Sequence, residues 1–396
     1  MEYRISNKMQ DLKPSAIREI FKALSDPTII SFAAGNPAPE SFPVDELARL
    51  SAKIYAEEPS VALQYGITEG YPALRQDVID RLTTRFNINT DGQMTIITSG
   101  GQQGIELLCK TMCNEGDTVI CENPSFIGAL NAFRSLGCKT VGVSLADDGG
   151  IDLDILEATL KNEPRAKILY LIPTFQNPAG TCMPLEKRKA VLELAKKYNI
   201  VILEDNPYGE LRFAGQEIPT LKSLDTDGVV VYSGSYSKVL SAGMRIGFIC
   251  GPEPVVTKMV VAKQVEDVHT NQFFQMLCHR YISECDIDKH IEGIRALYRR
   301  KCNLMLSELD KNMPDCVKYT RPEGGLFLWC TLPDNIHQGA FIKKAMEKKV
   351  AVVPGQAFNC DTSAPSQCFR LNYSTPSDDQ IIKGVGYLAD AVKAMM

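Results

Sequence analysis

Between residues 94 and 250 the chain alternates short, almost continuously apolar runs with stretches of helical period. The runs are MTIIT (94–98), TVICE (118–122), KTVGVS (139–144), KILYLI (167–172), IVILE (200–204), VVVYS (229–233) and IGFIC (246–250). Runs this short and this apolar fit strands buried on both faces. The clearest helix between them begins at Pro184, a favoured first-turn residue, with Leu185, Leu192 and Ala195 on one face. Strand–helix repetition of this kind predicts an α/β fold, a mostly parallel sheet flanked by helices.

Beyond residue 253 the pattern changes. Long helical stretches over about 253–311 lead to GLFLWCT (325–331), a helix near 338–348, then VAVVP and CFRLNYS. A last helix should start after Thr375-Pro376, with Asp378 completing a capping box and Ile381, Val385, Leu388 and Val392 as its buried stripe. These elements predict a smaller α+β domain. The first 45 residues, punctuated by Gly35, Pro37, Pro39 and Pro43, read as an arm laid on the surface.

Composition narrows the class. With 396 residues, 44% hydrophobic and 23% charged, the chain has the balance of a multidomain globular protein. It has no apolar run long enough for a membrane span and no signal-peptide core at MEYRISNKMQ. The net charge of −5, without a long basic run, argues against nucleic acid as a partner. Thirteen cysteines form no Cys-x-x-Cys pair, and four scattered histidines add no zinc spacing, so no metal is expected. Cys109 and Cys113 lie one helical turn apart; the thiols read as free, in a reducing cytoplasm.

Chemistry concentrates after the strands, where open α/β sheets bind ligands. SGGQQG (99–104) follows the first run, NPSF (123–126) the second, PTFQNPAG (173–180) the fourth, DNPYGE (205–210) the fifth and GSYSK (234–238) the sixth. SGGQQG opens a helix, so its backbone N–H groups suit a phosphate. A dinucleotide fingerprint fits locally, with Glu122 as its acid, but Gly100, Gly101 and Gly104 do not make G-x-G-x-x-G, and Asp205 and Lys238 would have no task. A cofactor that needs a phosphate cradle, an aromatic face, a carboxylate, a phenol or amide donor and a lysine is pyridoxal 5′-phosphate. Ser235, Ser237 and Arg245 stand beside Lys238 to hold the phosphate, and the small residues around Lys238 leave room for a flat ring.

With S-x-S-K-x6-R-x-G at 235–247, N-P-x-G at 177–180, D-x-x-Y at 205–208 and Y-x4-G-x3-L-R at 65–75, the chain resembles class I, fold-type I pyridoxal-phosphate aminotransferases over essentially its whole length. SAIREI (15–20) followed by FAAGNPAPESFP (32–43) is similar to the branch of 2-aminoadipate and kynurenine aminotransferases. The resemblance implies that Lys238 is the Schiff-base lysine and proton carrier, that Asp205 pairs with the ring nitrogen, and that Tyr208 and Asn177 donate to the ring oxygen. It implies phosphate contacts from Gly101, Gln102, Ser235, Ser237 and Arg245, and ring stacking by Phe126, where many relatives carry Tyr. Tyr65 would reach the phosphate in the neighbouring subunit, making the protein a homodimer. Arg370 would clamp the substrate α-carboxylate, with Gly35 and Asn177 lining that end of the pocket, and Arg18 would meet the distal carboxylate of an acidic substrate.

The resemblance further implies an N-terminal arm (1–45) contributing to the small domain and substrate pocket, a large cofactor-binding domain (46–290) and a small C-terminal domain (291–396). Donors could be aromatic, 2-aminoadipate, branched-chain or glutamate-type L-amino acids, with 2-oxoglutarate the expected acceptor. Carbon–sulfur lyases share the same motifs and stay open. Regulators that carry this fold behind a basic DNA-binding domain are the remoter alternative, since only 31 residues precede Phe32.

Overall fold

The computed structural model describes residues 3–10, 12, 26 and 28–396. The first strand, β1 (Ile30–Ser31), leads through a loop and three helices to the strands of the main sheet. These are β2 (Gln93–Thr98), β3 (Thr118–Asn123), β4 (Lys139–Ser144), β5 (Ala166–Leu171), β6 (Val201–Asp205), β7 (Val230–Ser235) and β8 (Gly247–Pro252). Their spatial order is β2-β8-β7-β6-β5-β3-β4, and only β8 runs against its neighbours. The expected seven strands and the mostly parallel sheet are therefore present.

Both faces of the inner strands are buried, which explains why they lack a polar side; the edge strand β4 departs from that expectation, because it has a neighbour on one side only, and buries just Val143. Ile168 and Tyr170 of β5 pack with the helices Gly101–Met112 and Glu253–Glu266, whereas Leu169 and Leu171 pack under the helix Leu185–Tyr198. Period-two alternation thus splits apolar from apolar rather than apolar from polar. Pro184 is the N-cap of its helix rather than a first-turn residue, and Leu192 and Ala195 are buried as expected while Leu185 is half-buried.

The remaining strands are β9 (Lys318–Tyr319), β10 (Phe327–Thr331), β11 (Val350–Ala351), β12 (Val353–Pro354) and β13 (Cys368–Asn372). A second sheet runs β12-β13-β10-β9, all antiparallel, and the long stretch before it resolves into helices Glu253–Glu266, Gln272–Glu284 and Ile287–Asn312. The last helix, Asp378–Lys393, buries Ile381, Val385, Leu388 and Val392. Its capping box is closed by Ser377 and Gln380, not by Asp378, because Gln380 stands at the third helical position and reaches back to the Ser377 N–H.

The segment after Thr28 is more than a surface arm. β1 pairs in parallel with β11, and Phe32, Ala33 and Ala38 are buried. The Ala38 N–H donates to the Tyr298 hydroxyl at 3.0 Å. This pairing carries Gly35 and Asn36 to the mouth of the cavity described next.

Candidate active site

The carboxyl ends of the parallel strands open into a cavity of about 310 Å³. Lys238 lies in the turn after β7 and is half-buried there, its amine turned into the cavity. Its Nζ donates to the Gly35 carbonyl at 2.6 Å and stands 6.0 Å from the centre of the Tyr208 ring. Burial, assisted by the charges of Arg370 and Arg245, lowers its ammonium pKa to about 8. Part of the population is therefore neutral amine at physiological pH.

Asp205 ends β6 and faces the same cavity. It accepts from the Tyr170 hydroxyl at 2.8 Å, and burial raises its carboxyl pKa to about 6 against that hydrogen bond. A buried carboxylate held so high is a site for a cation, which would relieve the desolvation that raises it. Tyr208 is buried, its phenol pKa pushed up by that burial, and the Asn177 amide donates to its oxygen at 3.4 Å.

One wall is built for an anion. Gly100 (φ +80°) precedes the helix Gly101–Met112, whose N-terminus has no side-chain cap, so its first N–H groups are free to bind a ligand. Arg245 lies against this turn. A Cβ on Gly100 would come 2.3 Å from Arg245 Nη2, so only glycine lets the guanidinium approach. Ser235 and Ser237 line the same wall. Gln102 contributes backbone only, because its side chain donates to the Gly128 carbonyl at 2.9 Å. Phe126 presents the aromatic face.

At the opposite end sits Arg370, on β13 and 2% exposed. It donates from Nη1 to Asn177 Oδ1 at 2.8 Å and from Nη2 to the Ala33 carbonyl at 2.9 Å, and its centre lies 4.0 Å from the Phe327 ring. Among the described residues no carboxylate pairs with it, and its Nε has no partner. Burial lowers its pKa to about 10. A buried cation without an anion, aimed at a cavity, calls for an anionic ligand.

The structure thus brings together Gly35, Gly101, Gln102, Phe126, Asn177, Asp205, Tyr208, Ser235, Ser237, Lys238, Arg245 and Arg370. It does not bring Tyr65 in: that residue is 80% exposed, its ring edge-on to His269, outside this chain's cavity. Arg18 lies outside the described residues. Several neighbours were not evident from the sequence, three of them polar or aromatic. Asn36 and Phe327 line the pocket, and Tyr170 sits in an apolar strand whose alternation concealed a hydroxyl aimed at Asp205.

The donor set fits pyridoxal phosphate: an amine in Lys238, an unpaired carboxylate in Asp205, an uncapped helix start beside Arg245, and flat faces between. The model of the aminotransferase class I and II family matches residues 27–388. The chain belongs to that family. The aromatic-amino-acid aminotransferase 1 of Thermococcus litoralis is 39% identical over the whole of this chain and 95% of its own length. A 2-aminoadipate transaminase of Thermus thermophilus is 40% identical over 97% of this chain and 95% of its own. A Pyrococcus horikoshii kynurenine aminotransferase, solved with PMP, superposes with a TM-score of 0.94 at 38% identity, covering 98% of this chain and 97% of that one. The protein is accordingly a pyridoxal-phosphate-dependent aminotransferase of fold-type I. Among its described residues no helix is long and apolar enough to cross a membrane.

Proposed function

We propose that the cavity transfers the amino group of an L-amino acid to a 2-oxo acid, 2-oxoglutarate in the working cycle, with Lys238, Asp205 and Tyr208 as its catalytic residues. The observation that carries this reading is the pairing of a buried, uncompensated Arg370 at one end with the amine of Lys238 and the anion wall at the other. Arg370 binds the α-carboxylate through the donors it keeps free. Asn177 and the Ala33 carbonyl hold the guanidinium still, so orientation is settled before substrate arrives.

When bound, pyridoxal phosphate supplies a carbonyl carbon that takes up the amino group and a ring that accepts the electron pair left at Cα. Asp205 holds positive charge at the ring nitrogen. Tyr208 and Asn177 donate to the ring oxygen, and Phe126 fixes the ring plane. Gly101, Gln102, Ser235, Ser237 and Arg245 hold the phosphate. Lys238 Nζ removes the Cα proton and returns it one carbon away. Its lowered pKa suits that task near neutrality. Phe327 and Ile172 give the cavity apolar walls.

The donor belongs to the aromatic, 2-aminoadipate, branched-chain or glutamate-type amino acids, a range supported by the names of the relatives and by an open, partly apolar pocket. Arg18 is the candidate for a distal carboxylate, with Gly35 at the pocket mouth. Tyr65 completes the phosphate site of a second subunit in a homodimer. It stands with Leu63, Ile67, Val265 and Val268 among the exposed apolar residues, a surface that a second copy would cover. The division into arm, large and small domains at 45 and 290, and a cytoplasmic location, are part of this reading. The separation of the seven-stranded sheet from the four-stranded one supports the former, and thirteen unbonded thiols the latter.

The test is the visible spectrum of the purified protein titrated with a panel of amino acids. Loss of the yellow band on adding a donor, and its return with 2-oxoglutarate, is expected. A yellow protein that no amino acid bleaches, or one that releases ammonia without an acceptor, overturns the transfer reading and favours a lyase.

A further inference from the structure

The helix Gly101–Met112 meets the cofactor wall at its start and ends elsewhere. Cys109, about 12 Å along its axis at 1.5 Å per residue, and the C-cap Cys113, about 18 Å along, project from one face. Cys138 joins them from the turn that enters β4, where Gly137 takes φ +76°. The three Sγ atoms all lie within 4.8 Å of one another, and Cys109 and Cys138 are 3.5 Å apart. Sulfurs sharing one zinc ion at about 2.3 Å stand about 3.8–4.0 Å from each other, so these thiols need little movement to bind one.

A single buried cysteine is an ordinary small core residue. Three that converge from two segments, with Cys109 and Cys138 buried and Cys113 half-open to solvent, are a different arrangement. Its surroundings favour a cation. The carbonyl end of the helix dipole points there. Asp117, held by Arg165 and the Asn114 N–H, and Glu115, paired with Lys8, lie nearby and leave no net positive charge there.

We propose that Cys109, Cys113 and Cys138 form a site for one thiophilic cation, with zinc(II) the fitting ion and a water at the open fourth position. No spacing in the chain announces it, because the third ligand arrives through the fold. Binding is a ligand exchange without redox change: zinc loses bound waters, the thiols still protonated release their protons to solvent, and three Zn–S bonds form. The ion would tie the end of the helix to the turn before β4 and touch no reacting atom.

The experiment uses the full-length holoenzyme, stripped with a chelator and titrated with zinc sulfate against a chromophoric competitor. Cobalt(II) then reports thiolate ligands through its charge-transfer absorption. One zinc per chain is expected. Cys113→Ser and Cys138→Ser should each weaken it by more than about 100-fold, beyond the loss of an outer-sphere partner. Both variants should keep the cofactor absorbance, and Cys113→Ser, at a half-exposed position, keeps the test open if Cys138→Ser folds poorly. No zinc uptake, uptake unchanged by both substitutions, or cobalt spectra without thiolate bands would overturn the proposal.

Discussion

Arg370 Nη1 donates to Asn177 Oδ1 at 2.8 Å, and the guanidinium so held has no carboxylate partner among the described residues. The amide orients the charge without neutralising it, which leaves the charge for a ligand. Charge-assisted hydrogen bonds contribute about 1.5–3 kcal/mol each. Arg370→Lys keeps the charge but loses the planar fork, so kcat/KM for amino donors should fall about 10- to 100-fold with bound-cofactor absorbance unchanged. Asn177→Ala should cost less, about fivefold, by loosening the same group. Half-reaction rates measured against donor concentration check both. Unaltered kinetics in Arg370→Lys would remove Arg370 from the substrate site.

Lys238 yields a pH prediction for the cofactor-free protein. Its pKa is lowered from 10.5 to about 8, so burial penalises the ammonium below pH 8 and the penalty disappears as pH rises toward 10.5. Capture of pyridoxal phosphate requires the free amine. The rate constant for appearance of the yellow band should rise with pH through about 8 and level above it. A stopped-flow series that rises only near 10 would show that the amine is not desolvated. Lys238→Ala should lack the band and lose at least about 10²–10⁴ in turnover, the range of a missing general base.

Asp205 makes the opposite demand on stability. Its carboxyl pKa is raised from 3.8 to about 6, so the cofactor-free fold loses stability as pH climbs from about 4 to 6 and stays penalised above. Asp205→Asn removes that penalty, on the order of 1–3 kcal/mol for a shift of this size. The apoprotein of the variant should therefore melt higher than wild type at pH 7.5 and gain less at pH 5, while its turnover collapses. Thermal unfolding at the two pH values, beside kcat, checks this. Equal gains at both pH values would mean the carboxylate is not strained by burial.

How far these residues were legible in the sequence depended on where the chain places them. Asp205, Lys238, Asn177 and Arg245 follow strand ends, so once β5, β6 and β7 are recognised their side chains must share one edge. Arg370 was legible for another reason, a charge inside an apolar strand. Tyr170 was not, because its hydroxyl sits within a strand buried on both faces, where tyrosine reads as core. Residues 28–38 read as an arm because Pro and Gly obscured a two-residue strand, and pairing of β1 with β11 depends on a partner some 320 residues away, at Val350. Cys138 joins Cys109 for the same reason: contacts made by tertiary folding leave no local period.

Gly100 tests whether the anion wall is built by backbone as well as by charge. Its φ of +80° alone disfavours any side chain, and a Cβ would also sit 2.3 Å from Arg245 Nη2 and 2.8 Å from its central carbon. Gly92, at φ +68° with nothing within 4 Å of its Cβ position, supplies the control for the first effect. Gly92→Ala should cost about 1–2 kcal/mol of stability and leave cofactor affinity alone. Gly100→Ala should cost at least as much, since ψ 169° puts it in a region open essentially to glycine alone, and also shift Arg245 from the helix start, weakening pyridoxal phosphate by up to about tenfold, the equivalent of one charge-assisted hydrogen bond. Equilibrium dialysis of the two variants separates the effects. If both bind the cofactor as tightly as wild type, the approach of Arg245 to Gly100 does not shape the phosphate site, and Ser235, Ser237 and the free helix N–H groups hold it unaided.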